Sequence, residues 1–277
     1  MAPRNAARTR VVSGALLLAA VFAALWLLEP IYLVGIAVLV AVLAFREYRD
    51  IAARSGAALS APAGAAAVAL ACVAVGIPGM PVEVALAGTT LGLSALALSR
   101  ALTSEPGATG AHLDGALPAA AIAAFAPLYI GVPLGLLAAT RWTLGREAAL
   151  LLIITVAVSD TCQYYSGRMF GRRLLAPVVS PKKTVEGAIG GFIGAAAALA
   201  LVGSWWLPQM GLPGRVALGC AIAAVGIVGD LFESLLKRSV HMKDASAVIP
   251  GHGGVLDRID ALLFAAPVFY VFVRYSY

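Results

Sequence analysis

Apolar residues follow one another along this chain in long blocks that short polar segments separate. Nine apolar runs can be drawn, at residues 12–28, 31–45, 62–78, 82–98, 116–139, 148–165, 187–206, 214–236 and 261–275. A run of about 20 apolar residues spans a bilayer as a helix. The alternating pattern of an outer-membrane strand is absent from the sequence, and lipid offers no partner to backbone groups outside a helix or closed barrel. The pattern therefore predicts an all-α, polytopic membrane protein with about nine transmembrane helices.

The first apolar run could also be read as a secretory signal peptide, because three arginines precede it. It stays apolar to residue 28, and the second run follows after only Glu29 and Pro30. We expect it to be a retained first helix. We divide the chain into an N-terminal transmembrane region, residues 1–115 with about four helices, and a C-terminal catalytic region, residues 116–277 with about five.

Composition agrees with a membrane protein, since 61% of the residues are hydrophobic and only 12% are charged. Soluble domains are about a quarter charged. If nine spans alternate the connections, 16 of the 20 Lys and Arg residues fall on the side of the N-terminus. Cytoplasmic loops hold such an excess of positive charge. We therefore expect a cytoplasmic N-terminus, a cell inner membrane location, and two long cytoplasmic loops, 166–186 and 237–260.

Carboxylates gather at the two helix ends that flank the second of these loops. Asp230, which follows a uniformly apolar stretch, shares one helix face with Ser234 and Lys237. Asp257 and Asp260 are three residues apart and share a face at the start of the last helix. Acidic side chains at a membrane boundary are functional candidates, and hard oxygen ligands suit Mg²⁺. Asp230, Asp257 and Asp260 are therefore our candidate metal ligands.

Basic and glycine residues surround these carboxylates. Lys237, Arg238, Lys243 and Arg258 suit phosphate oxygens, and the turn "PGHGG", residues 250–254, can point backbone N–H groups at an anion. Together with a metal site, these features indicate phosphoryl or nucleotidyl transfer. The alternative is an ordinary solvated loop, with Asp257 and Asp260 only capping the last helix through its dipole. Asp230 fits that alternative least well.

The other long loop carries a second polar cluster. Asp160 closes an apolar helix, and the segment "SPKKTVEG" that begins at Ser180 offers hydroxyls, two lysines and a carboxylate. A basic cytoplasmic loop would explain the arginines here, but it explains Asp160 less well. The three cysteines form no CxxC or Cys/His spacing and do not indicate a zinc site.

The segment from Ser234 to Asp260, "SLLKRSVHMKDASAVIPGHGGVLDRID", resembles the signature of phosphatidate cytidylyltransferases, also called CDP-diacylglycerol synthases. The family pattern reads S-x-x-K-R, four residues, K-D, then P-G-H-G-G and D-R-x-D, and every fixed position is filled. The upstream segment 159–187 is also similar to the family, so the likeness covers roughly residues 155–262. A motif of this length is far more specific than a short glycine pattern.

The resemblance implies transfer of the cytidylyl group of CTP to phosphatidic acid, which gives CDP-diacylglycerol and pyrophosphate for phospholipid synthesis. It also implies a Mg²⁺-dependent site, a likeness to proteins with nine helices, and a homodimer. We expect membrane lipid and no nucleic acid among the partners, and the sequence leaves open a second, monovalent ion. The site residues that we expect are, as catalytic, Asp230, Lys237, Arg238, Lys243, Asp244, Asp257, Arg258 and Asp260, and, as substrate-binding, Asp160, Ser180, Lys182, Lys183, Thr184, Ser234, Gly253 and Gly254.

Two other functions stay open at this point. A related CTP-dependent enzyme could act on an isoprenoid lipid, either as a polyprenol kinase or as a cytidylyltransferase for ether lipids. A transporter or channel would place acidic groups deep in the bilayer, whereas in this sequence they gather at one boundary. A purely structural membrane scaffold would leave the clustered acids unexplained.

Overall fold

The computed structural model describes residues 19–102, 116–243, 245–246 and 253–275. Helices dominate these residues, and the first described helix, α1, covers residues 19–27. A π-helical turn, Pro127–Gly131, joins helix Ala116–Ala126 to helix Val132–Thr143. The remaining helices are α2 (Pro30–Arg54), α3 (Ala61–Gly76), α4 (Val82–Leu102), α5 (Ala116–Ala126), α6 (Val132–Thr143), α7 (Arg146–Phe170), α8 (Val185–Leu201), α9 (Gly203–Trp206), α10 (Leu212–Ser239) and α11 (Leu256–Tyr275).

Several of these helices are long and apolar enough to cross a membrane. Among the described residues, length and composition select five such stretches: Pro30–Arg54, Val82–Ser99, Ala116–Thr143, Arg146–Phe170 and Leu212–Ser239. Each of the nine apolar runs overlaps a described helix, but α3 and α8 have only 16 and 17 residues. An α-helical membrane protein is therefore confirmed. The count of nine spans, the two-region division and the cytoplasmic N-terminus stay predictions.

The segment that we predicted as a loop at 166–186 is folded, so that part of the prediction was wrong. Helix α7 continues to Phe170, and a small antiparallel hairpin follows, with strands β1 (Leu174–Ala176) and β2 (Ser180–Thr184). The Thr184 hydroxyl accepts a hydrogen bond from the Gly187 amide at 3.1 Å and so caps α8. The hairpin therefore brings the two lysines of "SPKKTVEG" to the end of a membrane helix.

Glycines and alanines let the helices of the N-terminal core approach one another closely. A Cβ atom on Gly131 would lie 2.6 Å from the Val68 carbonyl oxygen, and one on Gly135 would lie 2.7 Å from that of Cys72. Small residues at helix contacts are typical of membrane proteins, where packing rather than the hydrophobic effect drives association. This contact explains why α3, the Ala-rich third run, is packed inside the protein despite its modest length.

Close helix contacts at glycine residues also position the helices that form the site. Gly190, Gly191 and Gly194 of α8 lie against α7, where any Cβ would overlap α7 side chains. On α10, a Cβ at Gly229 would lie 2.5 Å from the carbonyl oxygen of Asp260 on α11. The residue after Gly229 is Asp230, so this contact holds the first turn of α11 beside the acidic position of α10.

Candidate active site

A cleft of about 550 Å³ opens between α7, the hairpin, α8, α10 and α11. Its lining brings together most of the charged residues that we expected to act. Five acidic and five basic side chains line it: Asp160, Asp230, Glu233, Asp257, Asp260, Arg168, Lys182, Lys183, Lys237 and Arg258. Because the two signs balance, the cleft can take a cation and phosphate groups together. A site for either alone would need one sign in excess.

Lys237 lies at the centre of the acidic part of the cleft. Its ammonium nitrogen is 2.5 Å from Glu233 Oε2, one turn earlier on α10, and 2.5 Å from Asp257 Oδ1 on α11. The side chains of Lys237, Glu233 and Asp257 are only 12%, 1% and 7% exposed. One ammonium thus serves two buried carboxylates and joins the two helices. Lys237 binds protein carboxylates in this structure, and its phosphate-binding role stays a prediction.

Asp257 also binds backbone amides on both sides of the loop within the signature segment. Its Oδ2 atom accepts hydrogen bonds from the backbone amides of Ala245, at 3.1 Å, and Gly254, at 2.8 Å. Gly253 has a φ of 80°, a conformation that glycine adopts without strain, and a Cβ there would lie 2.9 Å from the same oxygen. The amide of Gly254 was expected to bind substrate, but it donates to a carboxylate of the protein itself.

A second ion pair joins the hairpin to α10. Lys183 Nζ lies 2.5 Å from Asp230 Oδ2, although 47 positions separate the two residues in the sequence. Ser234 donates a longer hydrogen bond, 3.4 Å, to the other Asp230 oxygen. On the facing helix α7, Asp160 accepts a bond of 3.2 Å from Gln163. The structure therefore brings both predicted clusters, separated in sequence, to one cleft.

Glu186 holds the hairpin against the start of α8. Its Oε2 atom accepts the backbone amides of Arg172, at 3.0 Å, and Arg173, at 3.2 Å. The residue precedes the apolar run that begins at 187 and is partly exposed to solvent. The amide of Arg172, and then further backbone amides, lower the pKa of Glu186 below its ordinary value because they stabilise the carboxylate.

Several predicted residues within the described ranges are not part of the lining of the cleft. Ser180 begins β2, and Lys243 is exposed after the end of α10. Arg238 donates from Nη1 to the carbonyl oxygen of Met242 at 3.2 Å. Asp244 lies outside the described residues. No contact in the described part of the chain tests a substrate or catalytic role for any of these residues, and all such roles stay predictions.

Sequence reasoning missed several residues of the site region. Glu233 partners Lys237, and Gln163 and Arg168 line the cleft from α7. Glu47 of α2 is 4% exposed and accepts hydrogen bonds from the loop that contains the signature. Only its position as an acid near the end of a long apolar run could have indicated it, and the neighbouring Arg46 and Arg49 made that end look solvated.

The donor set of the cleft matches what a divalent cation needs once a phosphate is bound beside it. Among the described residues, no three His, Cys, Asp or Glu side chains form a metal-binding group on their own. Mg²⁺ does not require one, because it usually binds through one or two carboxylates together with substrate phosphates and water. Asp230 and Asp260 line the cleft, and the buried Oε1 atom of Glu233 has no hydrogen-bond partner among the described groups. The cleft therefore fits Mg²⁺ bound together with a phosphate ligand.

Comparison with known proteins identifies the family of this chain. The family described as "Cytidylyltransferase family" matches residues 8–276, and the chain belongs to it. Two curated relatives named phosphatidate cytidylyltransferase are each 44% identical to it. The match to the Haemophilus influenzae protein covers 133 residues, 46% of each chain. The match to the Aquifex aeolicus protein covers 122 residues, 44% of this chain and 45% of that one.

A relative without an assigned activity matches as well. The Escherichia coli protein named "Uncharacterized protein YnbB" is 42% identical over 131 residues, 47% of this chain and 44% of that protein. In these matches the chain spans somewhat less than half the length of each relative. Family membership therefore covers the whole chain, while the closer likeness to named enzymes covers about half of it.

Proposed function

We propose that this protein transfers the cytidylyl group of CTP to phosphatidic acid and releases pyrophosphate, in the synthesis of phospholipids. The observation that carries the proposal is the cleft in which Lys183–Asp230 and Lys237–Asp257 meet at the ends of membrane helices. Membership of the cytidylyltransferase family and relatives named phosphatidate cytidylyltransferase support the same activity.

The reaction needs no covalent enzyme intermediate and no strong general base. A phosphate oxygen of phosphatidate is already ionised, so it can attack the α-phosphorus of CTP. A new O–P bond forms, and the bond from the α-phosphorus to the bridging oxygen breaks, so that pyrophosphate leaves with the electron pair. The protein has to bring two polyanions together and stabilise the charge on the leaving group. Cations at fixed positions in a cleft can do both.

We assign each basic residue to a phosphate group according to where the residue lies in the cleft. Lys182 and Lys183 are carried by β2, and Arg168 stands on α7 at the same cleft. We assign this side to the phosphates of CTP. Arg258, in the first turn of α11, is the cation that we assign to the leaving pyrophosphate. Lys183 would exchange Asp230 for a phosphate when the nucleotide binds.

Mg²⁺ is part of the proposal, with Asp230 and Asp260 as the side chains that would hold it. When bound, it would neutralise phosphate charge and polarise the α-phosphate. Asp257 was also a predicted ligand, but its side chain is only 7% exposed, against 36% for Asp230, and its oxygens bind Lys237 and two backbone amides, so we place it among the residues that shape the site.

The proposal includes a cellular setting. We place the protein in the inner membrane, with nine spans and the cleft facing the cytoplasm, because 16 of the 20 basic residues would then face the cytoplasm. A lipid substrate explains why a polar cleft lies at the ends of membrane helices. The homodimer rests on the family resemblance alone.

An acceptor comparison tests the proposal. The protein purified in detergent is incubated with CTP and Mg²⁺. Pyrophosphate release is measured with phosphatidate and with a phosphorylated ether lipid, and CDP release, which a kinase would produce, is measured with a polyprenol. Release that is fastest with phosphatidate, and that Asp230→Asn abolishes, is expected. Faster release with the ether lipid, or no release with phosphatidate from protein that is monodisperse and folded, would overturn the proposal.

A further inference from the structure

Glu47 is a buried carboxylate that binds both ends of the signature loop from a different part of the chain. Its Oε1 atom accepts hydrogen bonds from the Ser246 hydroxyl, at 2.5 Å, and the Val255 amide, at 2.9 Å. Its Oε2 atom accepts the Leu256 amide at 2.7 Å. The side chain is 4% exposed, and no salt bridge to it is found among the described residues. Three hydrogen bonds from one loop region therefore replace the water that Glu47 loses on burial.

Glu47 and Asp257 bind neighbouring residues at both ends of the same loop. Asp257 accepts the amides of Ala245 and Gly254, and Glu47 binds the next residue on each side, Ser246 and Val255. The glycine turn was expected to present its N–H groups to a substrate anion, whereas the amides at its end point to two carboxylates of the protein. The loop ends are thereby fixed before any substrate arrives.

The close packing at Gly254 shows how tightly this arrangement is built. A Cβ atom at Gly254 would lie 2.6 Å from Glu47 Oε2 and 2.8 Å from Oε1. Such distances are too short for non-bonded atoms, so any side chain larger than that of glycine would displace the carboxylate. The requirement for glycine at 254 therefore comes from Glu47, at least in part, and the two positions should be energetically coupled.

Apolar packing reinforces the polar contact. Phe45 and Tyr48 of α2 belong to the same buried cluster as Ala245 and Leu256, which flank the hydrogen-bonded loop ends. Glu47 also accepts the amides at the very start of α11, which otherwise lack partners within the helix. Asp257 follows directly after Leu256 and binds Lys237 at 2.5 Å. A shift of this helix start would move Asp257 relative to Lys237.

We infer that Glu47 is a positioning residue for the cytidylyl transfer proposed above: it acts through the loop to hold Asp257, Lys237 and the first turn of α11 in the geometry that the reaction needs. It touches neither substrate in this arrangement. The inference rests on the proposed function for its catalytic consequence, and its structural part can be tested without activity.

The first test replaces the carboxylate by an amide. Glu47→Gln keeps the size of the side chain, but one of its two terminal atoms becomes a donor and must face either the Leu256 amide or the Val255 amide. We expect kcat for pyrophosphate release to fall about 10- to 100-fold, the range that a small misplacement of catalytic groups produces, with a much smaller change in KM for CTP. Asp50→Asn is the matched control, because Asp50 is an exposed acid of α2 whose one ion pair within the described ranges is with Arg49, and it should leave kcat unchanged.

The second test uses the coupling between Glu47 and Gly254. Gly254→Ala alone should lower both kcat and the thermal midpoint, because the new methyl group meets the carboxylate. In a Glu47→Ala background the obstacle is gone, so the double variant should be no worse than Glu47→Ala alone. Additive losses in kcat and in the thermal midpoint would overturn the inference, since they would mean that the two positions act independently.

A structural readout separates failure of this inference from failure of the proposed function. Hydrogen exchange at one of the two amides, Val255 or Leu256, should be about tenfold faster or more in Glu47→Gln than in the unaltered protein, because the glutamine keeps one acceptor oxygen and loses the other. If the unaltered protein has no transferase activity, the proposed function fails while this exchange result and the coupling in thermal midpoint still decide the positioning. If it is active, Glu47→Gln with unchanged kcat or unchanged exchange overturns the inference.

Discussion

Lys237 and Asp257 face each other between α10 and α11, with 2.5 Å from Nζ to Oδ1. The same ammonium lies 2.5 Å from Glu233, so one cation holds two carboxylates that are almost fully buried. These residues come from opposite ends of the signature segment. Their contact shows that the signature segment, which looks like a loop in the sequence, connects α10 and α11 through side-chain ion pairs.

Removal of the shared cation should destabilise the protein strongly. In Lys237→Met, the buried acids Glu233 and Asp257 would lose their shared cation, and the loss of one partner of a buried ion pair costs about 3–5 kcal/mol. Thermal unfolding in detergent, followed by tryptophan fluorescence, measures the effect. Lys243→Met serves as the control for stability, because Lys243 is exposed. Equal unfolding midpoints for the two variants would show that the Lys237 bridge contributes nothing.

Loss of Lys183 should affect nucleotide use more than stability. Its side chain is 19% exposed and pairs with Asp230 in the cleft, where we place the phosphates of CTP. For Lys183→Met we expect kcat/KM for CTP to fall about 10- to 100-fold, since a charge-assisted hydrogen bond contributes about 1.5–3 kcal/mol. Steady-state kinetics beside Arg173→Met, a change at an exposed cation next to the same hairpin, would test this. A similar, small effect of both changes would remove Lys183 from the nucleotide site.

The hairpin should loosen in acid because Glu186 must be ionised to hold it. The pKa of Glu186 is lowered in the folded state, so its contribution to stability is present above the pKa of the unfolded chain, about 4.3, and is lost as pH falls further. Hydrogen exchange at the Arg172 and Arg173 amides should therefore accelerate below about pH 4 beyond the intrinsic pH trend. Glu186→Gln should abolish this additional change. Identical corrected profiles in both proteins would refute the proposed capping role.

His241 ends α10 in a left-handed conformation, with a φ of 57°. The Met242 amide donates to the Lys237 carbonyl at 2.8 Å, and the His241 amide donates to the Arg238 carbonyl at 3.1 Å, a Schellman arrangement. Glycine adopts this φ without strain, so His241→Gly should raise the free energy of unfolding by about 0.5–1 kcal/mol. His241→Ala, which keeps the strain, should not. If chemical denaturation shows no difference between the two variants, strain at this helix end is not what limits its stability.

Helix positions followed well from the sequence, because burial in lipid demands long apolar runs. The boundaries at the membrane surface followed less well. Helix α11 begins at Leu256, in agreement with the prediction that Asp257 and Asp260 lie at the start of the last helix, and Glu47 supplies a partner for the Leu256 amide there. Helix α7, by contrast, continues to Phe170, beyond the apolar run that ends at 165. The hairpin was missed because its strands, three and five residues long, carry charges and no apolar alternation.

The composition of the cleft could be predicted, but its pairings could not. The acids and bases of the signature segment were visible as clustered charges, and most of them line the cleft. The partner of each charge depends on contacts between distant segments, such as Lys183 with Asp230 and Glu47 with Ser246. No local periodicity encodes these contacts. For the same reason, the glycine turn was assigned to a substrate anion when the amides at its end bind carboxylates of the protein.

The fate of each phosphate of CTP tests the central claim most directly. The purified protein is incubated with phosphatidate, Mg²⁺ and CTP labelled at either the α- or the γ-phosphate, and the lipid and aqueous fractions are counted separately. Cytidylyl transfer predicts that the α-label enters the lipid fraction and that the γ-label is recovered in pyrophosphate. The γ-label in the lipid fraction would identify a kinase, and that result would contradict cytidylyl transfer as the activity of this protein.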